Sequence, residues 1–440
     1  MNSFIAKINN FTKDYAHEPV PEDKRCGAWK IFVVWAVSMV CLPAMMLGFT
    51  VGNGLPFPQM VSAIILGQFI LAVITSVSAY IGGKLHLPSS ALLQVTFGTH
   101  GVKIISSCIA LAVLGWYGFQ LEVFTMALQG IAKEEFAFDL PKVPVMVVFG
   151  LLMSLSAIIG FKGINFISQL TVPFLLIILA APIVKLWPEI DWNAIMHATP
   201  ENIMPFGAAI TMILGSVSLA MLICPDYSRY AKTDRHAVTG IFTATLFASG
   251  GFVLYAAFVM LITRETDFVR IMYDYGIGWP ALFAIILVTW TTNDTNNYIG
   301  GLALTAVFPK AKKWVLSLIC AFVGTAFAII GVAANFVPWL SLMGVLFSPA
   351  AGAYIADYFM HKNVYKKLND ISLPKMRPES KIAWAGGVLI GWMSTPADNL
   401  GGGMTHITGS AAIDGLLIAV LIQVIANYVM IKKFNRFAAA

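Results

Sequence analysis

The chain has 440 residues, of which 58% are hydrophobic and 11% charged, about half the charged share of a soluble domain. A water-soluble fold of this length would need two or three cores, whereas here the apolar residues come in runs of roughly 20, enough to cross a hydrocarbon layer of ~30 Å. The net charge of +6 falls in short basic clusters between those runs, which argues for membrane topology and against a nucleic-acid surface.

Residues 1–27 are polar and charged, with Pro19 and Pro21, and show no apolar core before a small-residue cleavage site; they read as a cytoplasmic tail, not a cleavable signal peptide. Twelve apolar runs follow, near 28–52, 59–83, 102–129, 143–161, 164–187, 205–228, 237–263, 279–307, 314–334, 337–359, 382–397 and 409–431. Leu87–Phe97 is apolar but too short to span and is expected to be re-entrant or interfacial. Residues 361–381 are expected to form a basic surface loop, and Leu400–Thr405, with Gly401, Gly402 and Gly403, a flexible outer loop. With both ends inside, all of the 28 basic residues face the cytoplasm except Lys133, Lys142, Lys185, Arg264 and Arg270. A wrong span count would invert every later loop and erase this asymmetry. The chain is therefore expected to be an all-α integral membrane protein, multi-pass in the cell membrane, with residues 433–440 as a cytoplasmic tail.

Two of these runs contain breaks. The first holds Cys41-Leu42-Pro43-Ala44, where proline removes a backbone hydrogen bond. The sixth holds Leu214-Gly215-Ser216-Val217-Ser218, a small, polar interruption. Taken alone, each is an ordinary kink or packing glycine. Taken together, five spans apart, they fit transporters built from inverted five-helix repeats, whose first helices are discontinuous so that freed carbonyls and amides bind ions and substrate. The repeats would be 28–187 and 205–360, followed by helices 11 and 12 over 382–432.

Polar groups at membrane depth mark the candidate site. Trp116 and Gln120 lie four apart and share a helix face. An aromatic plane beside an amide suits a flat heterocycle through stacking and edge hydrogen bonds, although a packed tryptophan and an interhelical glutamine would look the same. Val288-Thr289-Trp290-Thr291-Thr292-Asn293-Asp294-Thr295-Asn296-Asn297-Tyr298 is too polar for lipid and should face a cavity or ion path. An ionised Asp294 at a helix centre costs about 2.5–3.5 kcal/mol on insertion scales. Glu122 is the other deep carboxylate, either a protonated structural group or one facing water or an ion; both are candidate coupling carboxylates. Cys26, Cys41, Cys108, Cys224 and Cys320 lack metal or redox spacing, and the histidines fall at loops or helix ends. No enzyme motif or organic cofactor is indicated.

These segments resemble the nucleobase:cation symporter-1 family, most closely its bacterial cytosine permease branch. The resemblance covers about residues 19–435, through PVPEDKR, LGWYGFQ, ICPDYSRYAK, WTTNDTNNY and NFVPWLSLMGVLFSPAAGAYIADYFM. It implies the twelve-helix, five-plus-five inverted repeat of leucine-transporter-like proteins, with two further C-terminal helices. It also implies a sodium site from the carbonyls of Ser38, Cys41 and Val288 and the hydroxyls of Thr291 and Thr292. Positions 288, 291 and 292 do share one helix face. The substrate would stack on Trp116, with Gln120, Asn293, Asn297 and the break at Gly215, Ser216 and Val217 around it. The ligand implied is cytosine or a related pyrimidine or purine, with a hydantoin-like heterocycle as the alternative. Because Val113 stands where cytosine permeases carry glutamine, and Val217 where they and the family's hydantoin-transporting branch carry an aromatic, a related base is expected in preference to cytosine itself. The partners implied are that small molecule, sodium (or protons in its place) and the lipid bilayer; the sequence does not set an oligomeric state.

Overall fold

A computed structural model describes residues 15, 18–155, 169–171, 184–200, 203–265, 268–276, 278–368, 372–399 and 401–438. In chain order the helices are α1 (Ala28–Met39), α2 (Leu42–Gly54), α3 (Phe57–Leu85), α4 (Ser89–Phe136), α5 (Lys142–Leu152), α6 (Trp192–Met196), α7 (Phe206–Ser216), α8 (Ala220–Ser228) and α9 (Asp234–Thr243). They continue with α10 (Gly250–Thr263), α11 (Phe268–Asp274), α12 (Gly278–Val307), α13 (Lys313–Ile329), α14 (Phe336–Met360), α15 (Lys362–Lys366), α16 (Pro378–Ser394) and α17 (Ala411–Ala438). Among the described residues, 6 helical stretches are long and apolar enough to cross a membrane, or 7 with the bent α1–α2 pair taken as one span. Every apolar run read from the sequence coincides with a described helix or helix pair except 164–187, which lies mostly outside the described residues; 143–161 is described only through residue 155. Among the described residues the one β-type contact is an isolated bridge between Cys26 and Ala231.

Both expected breaks are present. Helices α1 and α2 meet at 64°, with Val40 (φ −89°, ψ 99°) and Cys41 (φ −150°, ψ 164°) extended between them. Pro43 sits in the first turn of α2, where its missing N–H removes nothing; it starts the second half-helix and does not kink a continuous one. The second break is Val217–Leu219, between α7 and α8. A Cβ on Gly215 would collide with the Leu340 carbonyl, so a glycine there lets α7 lie close against α14.

Helix packing separates two groups. On one side α2 lies along α10, and α3 along α8 and α9; on the other, α4 packs on α12 and α13, and α13 on α5. Exposed side chains such as Phe69, Leu111, Phe322 and Leu417 cover the outside, as lipid contact requires. The Leu87–Phe97 stretch is largely a short helix joined to the long part of α4 at Gly98, whose φ of 80° breaks the helix. A Cβ at Gly98 would stand 2.8 Å from the Pro374 carbonyl oxygen and 2.9 Å from that of Lys375, so both the conformation and the close approach require glycine.

The loop at 361–381 is not simply a surface loop. It carries α15, and Tyr365 and Arg377 are buried within it. Its backbone docks on the α4 kink, where Thr99 N donates to Pro374 O (3.1 Å) and His100 N to Lys375 O (2.8 Å).

Candidate substrate and ion site

A cavity of about 80 Å³ lies between the two helix groups, at the level of both breaks. Since one water needs ~10–15 Å³ on this measure, it holds several waters or one small ring. From α1, α2 and the break between them it is lined by Trp35, Ser38 and Cys41; from α4 by Val113, Trp116 and Gln120; from the second break by Ser216 and Val217; and from α12 by Thr292, Thr295 and Asn296.

Trp116 is only partly buried because it borders this space. Edge contacts with Phe119 (5.7 Å, 67°) and Trp339 (6.1 Å, 80°) hold its ring, and Gly115 leaves the room into which Trp339 packs. One turn on, Gln120 is 2% exposed and its Oε1 meets no protein donor. A buried amide oxygen left in that state asks for a ligand N–H or a water.

The α1–α2 break and α12 supply the oxygens proposed for a cation. The hydroxyls of Thr291 and Thr292 both donate to Val288 O at 2.8 Å, which keeps their lone pairs available. Val288 itself packs with Val40, Cys41 and Met45. Carbonyls and hydroxyls form an all-oxygen set that suits a hard monovalent cation. Among the described residues no cluster of three or more His, Cys, Asp or Glu could hold a metal.

Several expected residues are not brought to the cavity. Asn293 turns to Met153, with Nδ2 3.7 Å from Sδ. Asn297 is fully buried away from it, and Gly215 backs onto α14. Asp294 is wholly buried on α12 outside the cavity lining. Glu122 has a structural pairing that the sequence did not reveal: Lys142, at the start of α5, reaches its Oε1 at 2.9 Å, and Ala333 N donates to its Oε2 at 2.8 Å. Burial alone does not explain Glu122; a cation and an amide hold it.

Sequence reasoning missed Trp35, Tyr227, Thr295 and Asn296. Positions 292, 295, 296 and 299 follow the i, i+3, i+4, i+7 spacing of one helix face, so helical periodicity within the polar run of α12 could have found the last two. Trp35 and Tyr227 form an edge contact (5.0 Å, 74°), and Trp35 Nε1 donates to Thr245 Oγ1 at 2.9 Å. Beyond Tyr227 sits the buried Arg229, which donates to Tyr298 Oη (3.0 Å) and to the Tyr15 carbonyl (2.7 Å). His86, whose Nδ1 lies 3.0 Å from Arg229 O, has its imidazole pKa lowered chiefly by burial.

Residues 19–380 match the family model described as permease for cytosine/purines, uracil, thiamine, allantoin. The chain belongs to this permease family. It is similar to the cytosine permease of Escherichia coli strain K12, 25% identical over 433 residues and covering 97% of this chain and all of that one. The fold of this permease matches a nucleobase-cation-symport-1 family transporter in a closed conformation with bromovinylhydantoin bound, at a TM-score of 0.79 and 19% identity over 94% of this chain and 95% of that one. It also matches a Na+-coupled sialic acid symporter in a substrate-bound outward-open state (TM-score 0.64, 12% identity, 98% and 95% covered). The permease is thus a multi-pass membrane transporter and not an enzyme, and the cytosine permease-like resemblance holds.

Proposed function

We propose that this permease imports a nucleobase, cytosine or a related pyrimidine or purine, by sodium-coupled alternating access. The observation that carries the reading is the cavity at both helix breaks, where the Trp116 ring and the partnerless Gln120 oxygen share space with Ser38, Cys41 and Thr292. A flat base would stack on Trp116 and offer an N–H to Gln120. Sodium would bind between the first break and α12, and rocking of one helix group against the other would release both inward. Because ion and base share the broken helix, each favours the conformation the other binds. The relatives support this: one is a cytosine permease, and one structural neighbour is Na+-coupled.

A thermal-shift screen of nucleobases and hydantoins on the purified protein, with and without sodium, tests the substrate class. A base should raise the melting temperature, and more so with sodium. Stabilisation by hydantoins alone would favour the hydantoin-like alternative. Trp116→Ala should weaken binding about tenfold, since the lost stacking contributes on the order of 1 kcal/mol or more; unchanged affinity would remove Trp116 from the site.

The proposed orientation places both termini in the cytoplasm and the twelve-span count behind it. A cysteine introduced at Glu134 should react with an impermeant thiol reagent in intact cells, and one at Lys366 should not. Labelling at 366 would reject the orientation.

A further inference from the structure

A second cavity, of about 290 Å³, opens at the kink of α4, away from the substrate site. Its polar lining is Ser90, Gln94, Thr99, His100 and Lys103 from α4 and Thr305 from the end of α12, interleaved with Ala91, Ala306 and Pro309. Among the described residues no carboxylate lines it. The nearby Asp226 is buried behind Ser89, accepting from its backbone N at 2.8 Å and its hydroxyl at 2.6 Å. Further basic residues lie close by in the chain or beside α4. Lys310 and Lys312 follow Pro309 of the lining, and the Lys381 side chain lies beside Gly101 of α4.

Exposed apolar side chains sit directly beside these residues in the chain. Ile104 is 47% exposed next to Lys103, Phe308 55% next to Pro309, and Ile382 59% next to Lys381. A free anion would use only the cations and hydroxyls. A ligand matching the whole arrangement carries an anionic phosphate with acyl chains beside it, and basic pockets between transmembrane helices bind such headgroups. We propose that this cavity is a binding site for an anionic phospholipid, with Lys103 and His100 at the phosphate and Ile104 and Phe308 against the chains. Through Thr99 and His100 the site adjoins the loop that docks on Gly98, so a bound lipid would brace the α4 kink.

The test uses the purified full-length protein in a neutral detergent, titrated with dioctanoylphosphatidylglycerol, dioctanoylphosphatidylcholine or inorganic phosphate while thermal stability is followed. The anionic phosphatidylglycerol should stabilise the protein saturably, and the other two should not at the same concentrations. Lys103→Gln should weaken that apparent affinity about fivefold, from the contribution of one lysine near an anionic lipid, and His100→Gln, at the exposed rim, is the second variant. Lys362→Gln, which removes a charge outside the cavity, should leave the affinity unchanged. Equal stabilisation by phosphatidylcholine, equal weakening by Lys362→Gln, or no change in either cavity variant would overturn the proposal. Stabilisation by inorganic phosphate alone would overturn the lipid and leave a free-anion site.

Discussion

Asp357→Ala should destabilise the fold by about 3 kcal/mol, the low end for breaking a buried charged pair because Arg377 keeps Glu379, and should show as a clear drop in melting temperature. Asp357 is fully buried near the end of α14. Arg377 meets it end-on, Nη1 to Oδ2 and Nη2 to Oδ1, both at 2.8 Å. Tyr365 Oη (2.9 Å), His361 Nδ1 (3.0 Å) and Asn427 Nδ2 (3.1 Å) occupy its remaining positions. Arg377 in turn bonds Glu379 (2.7 Å) and the Val95 carbonyl (2.8 Å), so the pair joins α14, α15, the docked loop, α4 and α17. Within this cluster, outside the spans, Tyr365 has its phenol pKa raised by burial and by Asp357, and the guanidinium pKa of Arg377 is raised by the carboxylates despite burial. By contrast Lys24→Ala, which breaks a surface pair with Asp23 (2.6 Å), should leave stability unchanged. If Asp357→Ala melts within a degree or two of the parent, the cluster does not anchor the loop.

Thr291→Ala combined with Thr292→Ala should abolish sodium-stimulated uptake while leaving the protein folded. Both hydroxyls donate only to Val288 O within their own helix. Their loss exposes no new cavity wall of consequence and costs at most about 1 kcal/mol for each hydrogen bond. Removing two of the five proposed oxygen ligands, however, takes away much of what would replace the water shell of sodium. The melting temperature without sodium should therefore barely move, and the upward shift that sodium produces in the parent should vanish. If the double variant keeps its sodium response, the ion binds elsewhere.

Much of the architecture was readable because lipid imposes simple rules: apolar run length marks spans, and polar residues inside a span mark a cavity. Both broken helices were visible for that reason, as was the polar face of α12. Where side chains on that face point was not. Asn293 and Asn297 come from the same run as Thr292 and Asn296, but only the latter two line the cavity, because register depends on how α12 packs on α4. The Lys142–Glu122 pair joins residues on separate helices, so no local pattern announces it. The buried status of Arg377 was hidden for a related reason: a basic residue in a loop reads as solvated until its acidic partner, twenty positions earlier, is folded against it. Tyr227 and Trp35 illustrate a third limit, since two aromatic residues on distant helices become neighbours only through the crossing of α1 and α8.

The central claim is that base and sodium are bound at the two helix breaks and cross together. Uptake into proteoliposomes containing the purified protein, using in radiolabelled form the nucleobase that stabilises it most in the thermal-shift screen, is the decisive measurement, comparing an inward sodium gradient, an inward proton gradient and neither. The base should accumulate with the sodium gradient, and this accumulation should be abolished by Thr291→Ala with Thr292→Ala and strongly reduced by Trp116→Ala. Accumulation that follows the proton gradient and ignores sodium, or that survives both changes, would contradict it.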